Sequence, residues 1–130
     1  MSARGLLDTS VFIAREQRRD LVFADLPDEA AISVVTLAEL GAGVHLADDA
    51  KVRAQRLATL VAAQSSYLAL PIDSDVAAGF AELAATAHRA GRRPKIQDTW
   101  IAATARVHEI AVYTQDNDFD DLPGVEVVRV

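Results

Sequence analysis

The chain contains no cysteine, which excludes disulfides, thiolate metal sites and cysteine nucleophiles and fits a reducing compartment. Its three histidines, His45, His88 and His108, are scattered without metal-ligand spacing. No apolar run approaches the ~18 residues of a membrane span, and Asp8 breaks the stretch that would otherwise serve as the core of a secretory signal. The six glycines form neither a Walker A loop nor a G-x-G-x-x-G fingerprint, and no G-x-S-x-G elbow is found. Repeats, low-complexity tracts and linkers are also missing. These absences lead to the expectation of a single domain over residues 1–130, cytoplasmic, with no membrane partner.

What is there describes a helix-rich globular protein: 51% of the residues are hydrophobic and only 5% of the chain is aromatic, with Ala, Val and Leu abundant. A chain of 130 residues is long enough to bury roughly two-thirds of its unfolded surface without staples. The formal net charge of −6 argues against holding nucleic acid by charge alone. It does not argue against cutting it, because acids gathered around metal ions have their sign locally reversed.

Leu6-Leu7-Asp8-Thr9-Ser10 reads as a strand running into an acid and two hydroxyls. Val11 to Ala14 and the charged run Arg15 to Asp20 then read as a first helix with a wet C-terminal half, and Leu21 to Leu26 as a short apolar segment stopped by Pro27. Ala31 to Val35 is expected as a strand, with a helix opening at Thr36, where Thr36 and Glu39 fit a capping box. Gly41 and Gly43 suggest close packing or an early end to that helix. Asp48 to Gln64 forms an amphipathic helix with Val52, Leu57, Leu60 and Val61 as its apolar stripe.

Tyr67 to Ile72 is expected as a strand, and Asp73-Ser74-Asp75 as the start of a helix with Val76, Ala77, Phe80, Leu83, Ala84 and Ala87 on one side, ending near Gly91. Arg89, Arg92, Arg93 and Lys95 crowd into the following loop. A small-residue helix over Ile96 to Ala105 carries Asp98 in its first turn, where the helix dipole favours an acid. Ile110 to Thr114 and Val125 to Val130 complete the strands. Strands separated by helical segments imply an α/β fold with a parallel sheet covered on both faces.

Asp8 and Asp116 both follow predicted strands, while Glu39 and Asp98 both lie in first turns of helices that start from the same sheet edge, so all four acids can converge. Each also has a structural explanation, as a helix cap, a capping box or a dipole partner. Convergence without neutralisation is costly: two like charges 4 Å apart repel by about 4 kcal/mol at an effective dielectric of 20. Divalent cations remove that cost, and a donor set of carboxylates, carbonyls and water favours Mg²⁺ or Mn²⁺ over zinc. Such a site suits phosphodiester hydrolysis. A phosphoacceptor signalling domain would share the fold class, but it needs an acidic pair at the first strand, an Asp ending a central strand and a distal Lys, an order this chain lacks.

Leu6-Leu7-Asp8-Thr9-Ser10, Thr36-Leu37-Ala38-Glu39-Leu40, Asp98 to Ala105 and Thr114-Gln115-Asp116-Asn117-Asp118-Phe119 together resemble the ordered motifs of PIN-domain ribonucleases, and at this length most of all the VapC toxins of VapBC toxin–antitoxin pairs. The resemblance spans nearly the whole chain. It implies a three-layer α/β/α sandwich, Mg²⁺-dependent endoribonuclease activity on tRNA or other structured RNA, arrest of translation and growth, a homodimer and a small VapB-type antitoxin. Asp8 and Asp98 correspond to the strongest metal ligands, with Glu39 and Asp116 completing the pocket. Thr114 matches a hydroxyl residue near it, and Thr9 or Ser10 is expected to orient Asp8. The last motif varies in the family, which leaves the division of labour between Asp116 and Asp118 open. Arg89, Arg92, Arg93 and Lys95 are candidates for holding RNA phosphates, against the alternative of a solvated loop. The antitoxin expectation has a second support, since predicted elements consume nearly all of the chain and leave no segment to restrain an RNA-cutting site. A housekeeping RNA-processing nuclease and a non-catalytic RNA- or protein-binding module on the same fold are the other readings.

Overall fold

Leu6 and Leu7 are adjacent, and successive strand residues face opposite sides of a sheet; the two leucines accordingly enter two different cores. The computed structural model describes residues 3–21 and 25–130. In it, β1 (Arg4–Leu7), β2 (Glu29–Ser33), β3 (Leu68–Leu70), β4 (Ala111–Thr114) and β5 (Val127–Arg129) form one parallel sheet in the order β3-β2-β1-β4-β5. The five helices are α1 (Thr9–Glu16), α2 (Val34–Leu46), α3 (Ala50–Ser66), α4 (Ser74–Arg89) and α5 (Ile96–Val107). One core joins Leu6 and Val112 to Val76 and Leu83 of α4, Ile101 of α5 and Phe119. The other joins Leu7, Ile32 and Tyr113 to Val11 and Phe12 of α1, Leu40 of α2 and Ala63 of α3. The result is the three-layer α/β/α arrangement that the alternating pattern implies.

Chain order makes β1 the pivot. From β1 the chain proceeds outward through β2 and β3, then crosses to the opposite side for β4 and β5, so the switch in direction lies between β1 and β4. Ligands of open parallel sheets bind outside the carboxyl ends of the strands at such a switch. Close approach of these strands depends on Gly5, where an added Cβ would overlap the Tyr113 ring. At the far end of α4, Gly91 takes a φ of +72°, the left-handed conformation that ends a helix cheaply when the residue is glycine.

Several boundaries differ from expectation. β2 ends at Ser33, and Val34 and Val35, expected as strand, open α2 because the Ser33 hydroxyl accepts a hydrogen bond from the Val35 N–H at 3.0 Å. The Thr36–Glu39 capping box is therefore absent: Thr36 already sits inside the helix, and Glu39 is free for another task. Gly41 and Gly43 neither end α2 nor pack closely, since a Cβ at Gly41 would meet nothing and one at Gly43 only the Arg56 side chain at 3.8 Å. In α3 the expected stripe is split: Leu57 and Val61 remain about half exposed, and Ala63 is the buried position. The segment Leu21 to Leu26 lies partly outside the described residues, which omit 22–24.

Candidate active site

Asp8 leaves β1 as the N-cap of α1, its backbone N–H tied to the Tyr113 carbonyl of β4 at 2.9 Å. Capping and site building are thus one placement, not alternatives. The Asp8 Oδ2 accepts hydrogen bonds from the Thr114 hydroxyl at 3.0 Å and the Ser10 N–H at 3.4 Å. Since the single proton of Thr114 goes to Asp8, Ser10 donates to Thr114 across 3.1 Å while accepting from the Gln115 N–H at 3.0 Å. Ser10 and Thr114 thus both hydrogen-bond around the Asp8 carboxylate.

Thr9 does something else. Its hydroxyl donates to Glu39 Oε1 at 2.8 Å and, having no second proton, accepts from Thr36 at 3.0 Å. The relay Thr36 to Thr9 to Glu39 joins α1 to α2 and aims the glutamate at the sheet edge. Of the two residues expected to orient Asp8, Thr9 or Ser10, Thr9 bonds to Glu39 instead.

Asp98 comes from the first turn of α5, whose start is set by Lys95: its carbonyl accepts both the Thr99 N–H at 3.0 Å and the Thr99 hydroxyl at 2.9 Å. Asp116 follows β4, and its Oδ1 accepts the Asp118 N–H at 3.1 Å, which shapes the turn leading into the short 3₁₀ helix Asp118–Asp121. Asp118 in turn accepts from Lys95 Nζ at 3.1 Å. The two residues thus have different roles here, Asp116 building the turn and Asp118 pairing with the lysine.

Asp8, Glu39, Asp98, Asp116 and Asp118 all line one cleft of about 280 Å³. Burial and the neighbouring charges register in the acidities of Asp98, Asp8 and Glu39. Burial first, and then the charges of Asp8, Asp118, Asp116 and Glu39, push the Asp98 carboxyl up to about 7. Asp8 is raised by burial and by Asp116, against the opposing hydrogen bonds from Ser10 and Thr114. Glu39 is raised by burial, opposed by the Thr9 hydrogen bond, with Asp8 and Asp116 adding to the rise and Lys95 reducing it.

The chemistry of this donor set fits a hard divalent cation. Its oxygen donors are carboxylates, hydroxyls and the Gln97 amide, and the Oδ2 of Asp98 is buried without a hydrogen-bond partner, a costly state for a carboxylate that a cation would relieve. Among the described residues no three acids or histidines already close around a single ion position, so the acids surround the cleft rather than forming a finished shell.

Of the four basic candidates, Lys95 alone lines the cleft. Arg89 belongs to the last turn of α4, and Arg92 is engaged with the Asp120 carbonyl at 2.8 Å and the Asp121 carboxylate at 3.9 Å. Sequence reasoning missed two lining residues, Ile13 and Gln97. Ile13 stands one helical turn after Thr9 and Gln97 immediately precedes Asp98, so helical spacing from the recognised residues was the available signal. It also missed the Thr36 relay.

Among the described residues no helix is long and apolar enough to cross a membrane. A family model described as PIN domain matches residues 5–125. Ribonuclease VapC5 of Mycobacterium tuberculosis is 49% identical over 98% of this chain and 96% of its own length. Ribonuclease VapC4 of the same organism is 43% identical over 98% of this chain and 97% of its own. Among solved structures, a member of the VapBC family of toxin-antitoxin systems, VapBC-5 from M. tuberculosis, matches with a TM-score of 0.91 at 47% identity, covering 98% of this chain and 99% of that one.

Proposed function

The chain belongs to the VapC-type branch of the PIN-domain family, and we propose on that basis that it is the ribonuclease toxin of a VapBC pair, a Mg²⁺- or Mn²⁺-dependent endoribonuclease that cleaves tRNA or another structured RNA in the cytoplasm and so arrests translation and growth. The observation that carries this reading is the gathering of Asp8, Glu39, Asp98 and Asp116 around one cleft with a buried Asp98 oxygen left unpartnered.

Asp8 and Asp98 would hold the cation, with Glu39 and Asp116 completing the acidic pocket. A hard divalent ion held there would supply the positive charge that offsets the carboxylates and the phosphate and would make water more acidic. The protein's own work is orientation. Ser10 and Thr114 fix the Asp8 carboxylate, the Thr36 to Thr9 relay fixes Glu39, and Lys95 at the rim is the member of the basic group we assign to an RNA phosphate. A proton taken from the attacking water has Glu39 or Asp116 as its acceptor, both of which line the cleft.

Restraint of this activity we assign to a VapB-type antitoxin, whose basic side chain would enter the acidic cleft by charge complementarity, and the working unit to a homodimer. Controlled expression tests the reading. The protein expressed alone should arrest growth within one generation and generate new RNA ends, Asp8→Asn should do neither, and co-expression of an adjacent small gene product should restore growth through a complex that survives purification. Harmless expression of a protein that still cuts RNA in vitro would replace the toxin reading with a housekeeping nuclease.

A further inference from the structure

The acidic cleft has one cationic side chain on its lining among the described residues, Lys95. Its ammonium lies 3.1 Å from the Asp118 carboxylate and so links the start of α5 to the 3₁₀ helix after β4. We infer that Lys95 is the built-in counter-cation of the cleft and competes with the divalent ion for it, so that ion entry releases Lys95 from Asp118. The inference rests on the metal-binding reading above and adds a regulator of that binding.

Three features support it. First, the acids need positive charge whenever no cation is bound, and Lys95, 3.1 Å from the Asp118 carboxylate, supplies it: its charge lowers the cost of ionising Glu39, and the hydrogen bond to Asp118, followed by the charges of Asp118, Asp98 and Asp116, holds the ammonium protonated. Second, the lysine can leave. The pair is solvent-facing, with the Lys95 side chain 70% and the Asp118 side chain 37% exposed, and exposed pairs of this kind open readily. Third, its backbone does not have to move with it. The Lys95 carbonyl stays bonded to Thr99 at the start of α5, so release is a side-chain event that leaves Asp98 in position.

A lysine that only bound RNA would leave ion affinity unchanged when removed, and a lysine that only stiffened the rim would lower it. A competing counter-cation has the opposite sign. Titration of the purified full chain with Mn²⁺, reading free ion by electron paramagnetic resonance without RNA, separates these cases. Lys95→Met should bind Mn²⁺ more tightly by roughly three- to tenfold, the size expected from removing one cation beside another in a partly screened cleft. Lys95→Arg should stay within about twofold of the parent, and Lys51→Met, the same charge change on distant α3, should match it. Equal or weaker binding by Lys95→Met overturns the inference while leaving the metal site intact. A parent protein that takes up no Mn²⁺ overturns the proposed metal dependence and this inference with it.

Discussion

The Thr9 hydroxyl of α1 donates to the Glu39 carboxylate of α2 across 2.8 Å, joining residues 30 apart in the chain. This bond makes the first strand's acidic motif serve two carboxylates at once: Asp8 through Ser10 and Thr114, and Glu39 through Thr9. Thr9→Val removes the hydroxyl and keeps the shape, leaving Glu39 free to turn and Thr36 without its acceptor. RNA cleavage is expected to fall between about ten- and a hundredfold, the cost of a misplaced catalytic group, while Thr9→Ser retains most activity. Equal rates for Thr9→Val and the parent would remove the relay from the mechanism.

The Asp98 carboxyl, raised from 3.8 to about 7 in the folded protein, makes the metal-free fold pH-dependent. Between those values the folded state keeps a proton that the unfolded state has released, so the stability that Asp98 contributes is fully present below about 4 and is lost as the pH rises through about 7. Urea unfolding in EDTA should show this decline. Asp98→Asn, which cannot ionise, should make it shallower, leaving the part that the raised Asp8 and Glu39 carboxyls contribute.

The same shift predicts proton release on metal binding. At pH 6 Asp98 is largely protonated in the free protein and must ionise to ligate, so Mg²⁺ uptake should liberate up to about one proton. Calorimetry in buffers of different ionisation enthalpy measures the number. A value near zero at pH 6 would show that Asp98 is not a ligand.

Gly5→Ala tests the packing that brings β1 beside β4. The added methyl has no space against the Tyr113 ring, so a loss of about 1–3 kcal/mol in urea unfolding is expected. Because the two residues touch, the double variant Gly5→Ala with Tyr113→Ala should cost less than the sum of the single changes.

Much of the site is legible in the sequence because acids that end strands and acids in first turns share one sheet edge in a parallel α/β fold, which groups Asp8, Glu39, Asp98 and Asp116. What was missed has local causes. Thr36 and Glu39 matched a capping box as well as Ser33 matched a cap, and the β-branched Val34 and Val35 favoured strand, so the start of α2 was expected two residues late, at Thr36 rather than Val34. The periodicity of α3 showed an apolar side but not that Leu57 and Val61 would stay outward. The contact between Lys95 and Asp118 and the Thr36 to Thr9 relay join residues 23 and 27 apart across different elements, and no spacing rule connects such pairs.

Asp8, Glu39, Asp98 and Asp116 are proposed to form one cation-dependent RNA-cutting site. Cleavage of a structured RNA by the purified protein, followed against Mg²⁺ concentration for the parent, Asp98→Asn and Glu39→Gln, addresses it most directly. The parent should be inactive in EDTA and regain full activity on added Mg²⁺, while both variants stay inactive at saturating Mg²⁺ with urea midpoints no lower than the parent's. Undiminished cleavage in EDTA, or a fully active Glu39→Gln, would contradict it.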